Sequence, residues 1–108
     1  MTATTTTPHV LSRSLLDEVI DVAASTFGTS IDVREDYSGR GMDGRTCFGL
    51  TIGRNEEREV FAALGYLAGL TEGREDDADI DLMELARYAR TDSMGRDTIV
   101  YFPGWELD

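Results

Sequence analysis

The sequence predicts an α+β domain in which a small three-stranded antiparallel sheet is covered on one face by about three helices, in the order α-β-β-α-α-β. Apolar residues recur at helical spacing in three segments. Apolar–polar alternation marks two further segments, one on each side of a glycine-rich stretch, though Glu35 falls on the apolar face of the first. A β-branched and aromatic run, DTIVYFPGW, lies near the end of the sequence.

Residues 1–10, MTATTTTPHV, are low in complexity and read as a flexible arm ahead of a single domain over 11–108. They lack the basic region and apolar stretch of a signal peptide. No run approaches the ~20 apolar residues that span a bilayer. A cytoplasmic protein is the expectation.

In SRSLLDEVIDVAASTFG, Ser12 or Ser14 can cap a helix whose apolar stripe is Leu15, Leu16, Val19, Ile20, Ala23 and Phe27, with Gly28 at its end. SIDVREDY and RTCFGLTIG alternate and read as the two arms of a hairpin. Asn55 is placed to cap a second helix with Val60, Phe61, Ala63, Leu64, Leu67 and Ala68 on its apolar side. Gly65 and Gly69, four apart, imply close packing of that helix against a sheet or another helix, at about 1 kcal/mol of helix propensity per glycine. Leu82, Leu85, Ala86 and Ala89 outline a third helix, with Arg87 and Arg90 near its C-terminal end. The final run is a strand that Pro103 ends or confines to an edge.

Gly39-Arg40-Gly41-Met42-Asp43-Gly44 matches the phosphate-binding pattern G-x-G-x-x-G. A dinucleotide site needs a helix after that loop, so that the pyrophosphate meets a helix N-terminus. Here a strand pattern follows. The kinase arrangement does set a glycine loop between strands, but it requires a lysine on the next one, and this chain has none. The glycines therefore read as the tip of a long hairpin that projects Arg40, Met42 and Arg45 outward. Arg40 and Arg45 either pair with nearby carboxylates or contact a partner. The alternative function on this motif is an anionic small-ligand or nucleotide site formed by Gly39, Gly41 and Gly44 with Arg40 and Arg45, in a pocket beneath the hairpin.

Twenty-one acids face ten basic residues, all arginine, for a net charge of −11. Such a field repels nucleic acid, anionic lipid and phosphorylated ligands at long range and favours basic partners. Seven acids fall between Glu72 and Glu84. Asp77, Asp79 and Asp81 have the spacing that opens an EF-hand loop, but Leu82 stands where its turn glycine belongs and Tyr88 where its bidentate glutamate belongs. No metal or other cofactor is expected. A folded array of carboxylates can instead imitate the charge of duplex DNA, one per roughly 1.7 Å of axis.

Catalytic constellations are lacking: the sole histidine, His9, falls in the arm, and the sole thiol, Cys47, has no activating base. The expectation is a non-enzymatic interaction protein that docks on a basic surface of a nucleic-acid-handling partner. Asp76, Asp77, Asp79 and Asp81 supply the negative surface, Arg40 and Arg45 fix orientation, and Trp105 anchors. The composition, though no motif, resembles that of small acidic phage and mobile-element proteins that inhibit host defence enzymes. A structural homodimer, joined along a strand edge or the aromatic C-terminus, is a third reading.

Overall fold

The structure, a computed structural model, describes residues 9–72 and 78–108, with the backbone alone for 78–80. It is α+β, with three helices among the described residues. The sheet differs from the expectation. It has four antiparallel strands, and a separate two-stranded parallel ribbon accompanies it.

The elements run β1 (His9–Leu11), α1 (Arg13–Phe27), β2 (Asp32–Tyr37), β3 (Cys47–Gly53), α2 (Glu57–Leu70), α3 (Ala78–Tyr88), β4 (Arg90–Met94), β5 (Asp97–Tyr101) and β6 (Trp105–Leu107). The main sheet has the order β2-β3-β5-β4. β4 begins at Arg90, which sequence reasoning placed near the C-terminal end of the third helix, and continues through residues 91–94, for which no strand was expected. That helix stops at Tyr88, and the chain turns back through Gly95 and Arg96 to pair Met94 with Asp97. Gly95 sits at φ 66, as the first central residue of a tight two-residue hairpin needs when it is glycine.

β1 and β6 pair in parallel, His9 opposite Trp105 and Leu11 opposite Leu107. His9 and Val10, read from sequence as part of an arm, are thus strand residues. Arg13 reinforces the join: its backbone N–H donates to Asp108 Oδ1 (2.9 Å) and its Nε to the Asp108 carbonyl (2.7 Å).

Ser12 caps α1, its Oγ accepting from the Leu15 N–H at 3.3 Å, and Gly28 closes it at φ 71. At α2 the cap differs from expectation. Asn55 lies outside the helix at φ 67, a left-handed conformation that asparagine tolerates, and Glu56 precedes the first turn without a side-chain cap bond. The Glu56 carboxylate instead accepts from Thr29 Oγ1 (2.7 Å), tying α2 to the end of α1.

Alternation along β3 and β5 divides the interior in two. Phe48, Leu50, Ile52, Val100 and Phe102 face the helices and join Leu15, Leu16, Val19, Val60, Leu64, Leu82 and Leu85 in the main core. Cys47, Ile99 and Tyr101 face the other way and form a second cluster with Met42. One face of the sheet is therefore covered by helices, and the other by the glycine loop.

A bulge between Arg34 and Tyr37 adds one residue to β2 relative to β3. Beyond it Tyr37 lies over Tyr101, with ring centroids 5.0 Å apart, and its hydroxyl donates to Asp92 Oδ2 of β4 at 2.9 Å. The Tyr37 pKa is pushed up to about 12, first by partial burial and then by that hydrogen bond. The proton is held more tightly in the folded chain than in the unfolded one, where tyrosine titrates near 10. This contribution to stability is complete below about pH 10 and disappears as pH rises towards 12. Tyrosinate absorbance should show a late step in the native protein that Tyr37→Phe removes.

Candidate functional site

The glycine loop does not stand clear of the body. Met42, expected outward, is only 4% exposed and packs on Cys47, with the two sulfurs 4.0 Å apart. The reason is the uncovered apolar face of β3 and β5, which the loop folds over and closes. Gly39 permits this approach: a Cβ there would lie 2.4 Å from Tyr101 Cε2. Three of the loop's N–H groups bond within the loop itself. Gly39 N–H donates to Met42 Sδ (3.1 Å), Met42 N–H to the Gly39 carbonyl (3.2 Å) and Arg45 N–H to the Met42 carbonyl (3.0 Å). Gly41 and Gly44 take φ 82 and 83. With the Gly39, Met42 and Arg45 N–H groups bonded within the loop and Met42 packed under it, the loop acts as a cover for this face of the sheet.

Arg40 and Arg45 are exposed at the loop surface, and Arg45 Nε donates to the Met42 carbonyl (3.1 Å). Neither makes an ion pair among the described residues, where the pairs seen are Arg13–Glu35 and Arg87–Glu84.

A cavity of about 630 Å³ opens where the loop meets the β1–β6 ribbon. Met42, Gly44, Arg45 and Thr46 line its loop side; His9, Tyr88, Arg90 and Glu106 line the other. His9 stacks on Trp105 with centroids 4.8 Å apart and planes at 23°, and Tyr88 lies 5.6 Å from His9. Arg90 leans against the loop, its Nη1 4.0 Å from where a Cβ on Gly41 would be. Two guanidinium groups and an aromatic wall thus share one concavity in an acidic protein. Sequence reasoning found Arg45 but not His9, Tyr88 or Arg90, because the ribbon and β4 that assemble them were not foreseen.

Glu106 and Thr46 also border a second cavity, about 200 Å³, lined by Glu35, Asp36, Cys47 and Leu107. Glu35 and Asp36 come from edge strand β2 and Glu106 from β6. Cys47 is 1% exposed, and burial pushes its thiol pKa up, away from a nucleophile's range.

The sequence-derived acidic site falls largely beyond view. Asp76 and Asp77 lie outside the described residues, nothing is described of the Asp79 side chain, and Asp81 is partly buried on α3. Trp105, expected as a surface anchor, is 2% exposed and belongs to the core. Trp105 is therefore not an exposed anchor for self-association. Gly65 and Gly69 also differ from expectation: a Cβ on either would meet nothing within 4 Å. Gly65 borders an apolar cavity of about 430 Å³ between α2 and α3, rimmed by Phe61 and Met83.

Comparisons with known protein families, curated proteins and solved structures return no match. Among the described residues, no helix is long and apolar enough to cross a membrane. Nor does any group of three or more His, Cys, Asp or Glu among them have the geometry to hold a metal ion.

Proposed function

We propose that the protein is a non-enzymatic interaction protein that docks on a basic surface, that of a nucleic-acid-handling partner, through carboxylates held on its folded surface. The observation that supports this best is the convergence of Glu35, Asp36 and Glu106 on one cavity from strands far apart in sequence. In a chain of net charge −11, that crevice offers carboxylates to an arginine or lysine side chain, which would join or displace Arg13 at Glu35. Inhibition of a host defence enzyme by imitation of nucleic-acid charge is the form of this function that the composition favours. Asp76, Asp77, Asp79 and Asp81 would extend the negative surface.

The test is capture of partners from the native host at low and high salt, with the E35Q/D36N variant in parallel. Both residues are exposed, and the one broken ion pair, Arg13–Glu35, lies at the surface where such pairs add little to stability, so the variant stays folded. Partner affinity should fall about tenfold or more in the variant, and its salt dependence should flatten. Binding that is indifferent both to salt and to E35Q/D36N removes the electrostatic mechanism.

A second reading, binding of a small anion beneath the hairpin, is favoured by the cavity that Arg45 and Arg90 line. Its contacts would come from guanidinium groups and not from the glycine N–H groups of the alternative expected from sequence.

A further inference from the structure

We propose that the cavity beneath the hairpin loop is a site for a small anion that carries a planar ring, of the size and kind of a nucleoside monophosphate. The inference rests on the anion-binding reading and adds what the rest of the ligand must be.

The volume, about 630 Å³, falls among those of ligand pockets, roughly 300–1,000 Å³. A lone inorganic anion would leave most of it to water. The wall opposite the loop calls for a ring. Tyr88 is 43% exposed, yet His9 and Trp105 hold its ring, with centroids 5.6 Å and 6.5 Å away. His9 is braced in turn on Trp105, which the main core immobilises. An exposed aromatic surface fixed in this way loses little side-chain freedom when a ring stacks on it.

Charge sets the other half of the ligand. Arg45 and Arg90 border the same space, and Arg90 makes no ion pair among the described residues. A phosphoryl or carboxylate group would satisfy both, with the bidentate geometry that guanidinium favours. Glu106, also on the lining, accepts a hydrogen bond from a ring amine or a hydroxyl and repels additional negative charge. A single anionic group is therefore preferred over a polyphosphate.

Calorimetry on the full chain tests this with AMP and phenyl phosphate as ring-bearing anions, adenosine as an uncharged ring, inorganic phosphate as a ringless anion, and ATP. AMP and phenyl phosphate should bind at least about fivefold tighter than inorganic phosphate, the increment one stacking contact supplies. ATP should bind more weakly than AMP, and adenosine weakest of all. Trp105, the only tryptophan, should change its emission on AMP binding through its contact with His9. Arg90→Gln should weaken AMP and phosphate alike, whereas Tyr88→Leu should weaken AMP and leave phosphate unchanged; circular dichroism confirms that both variants are folded. Equal affinity for AMP and phosphate overturns the ring and leaves the anion reading standing. Binding of adenosine as tight as that of AMP, or no binding by any probe, overturns both.

Discussion

Trp105→Ala is expected to destabilise the protein by about 3–5 kcal/mol, the cost of emptying a large aromatic site in a packed core. Trp105 is 2% exposed, supports the His9 ring and pairs with His9 in the β1–β6 ribbon, so its removal opens a cavity and loosens the ribbon together. At that magnitude the melting temperature should fall by well over about 10 °C in a domain of this size. Trp105→Phe separates the causes. It keeps most of the buried area and removes an indole N–H that has no hydrogen-bond partner among the described residues. Its cost should be clearly smaller than that of Trp105→Ala, because the cavity it leaves is smaller. Were Trp105 a partner anchor instead, Trp105→Ala would leave the melting temperature unchanged and reduce partner affinity. Thermal denaturation of the two variants decides between these outcomes.

Gly39→Ala is expected to cost about 1–3 kcal/mol through overpacking. The added methyl would sit 2.4 Å from Tyr101 Cε2 and 2.5 Å from Cζ, and the Tyr101 ring, 2% exposed and packed on Tyr37, has nowhere to retreat. Gly44→Ala is the useful contrast, since nothing lies within 4 Å of its Cβ position and its cost comes from φ 83 alone. The distinguishing measurement is a double-mutant cycle in denaturant. Shortening Tyr101 to leucine should recover part of the Gly39→Ala loss and none of the Gly44→Ala loss. Additive losses at Gly39 and Tyr101 would mean that the loop does not rest on that ring.

What could be read from sequence follows how local the determining contacts are. α1 was legible throughout, because Ser12, the 3.6-residue stripe and Gly28 lie within one segment and agree. β4 was not, because an edge strand of Arg90, Thr91, Asp92, Ser93 and Met94 has no apolar alternation to display; Gly95 and Arg96 were the one signal present. The β1–β6 ribbon, three residues on each side, depends on a pairing that spans nearly the whole described chain. Missing the ribbon meant missing the cavity, since it brings His9 and Glu106 to Tyr88 and Arg90. The loop's inward fold was hidden for a related reason. Cys47, Gly49 and Thr51 alternate as a solvent face should, and only the pairing of β3 with β5 adds Ile99 and Tyr101 to that face and makes it apolar enough to need Met42.

The parallel ribbon also bears on how the molecule is made. His9 cannot meet Trp105 until residues 105–107 have been made, so this closure waits on a pairing that spans nearly the whole described chain. Tryptophan emission, with its only source in that clasp, reports the closing of the circuit, whereas far-ultraviolet circular dichroism follows the helices. A lag of the first signal behind the second during refolding would time the step that completes the cavity.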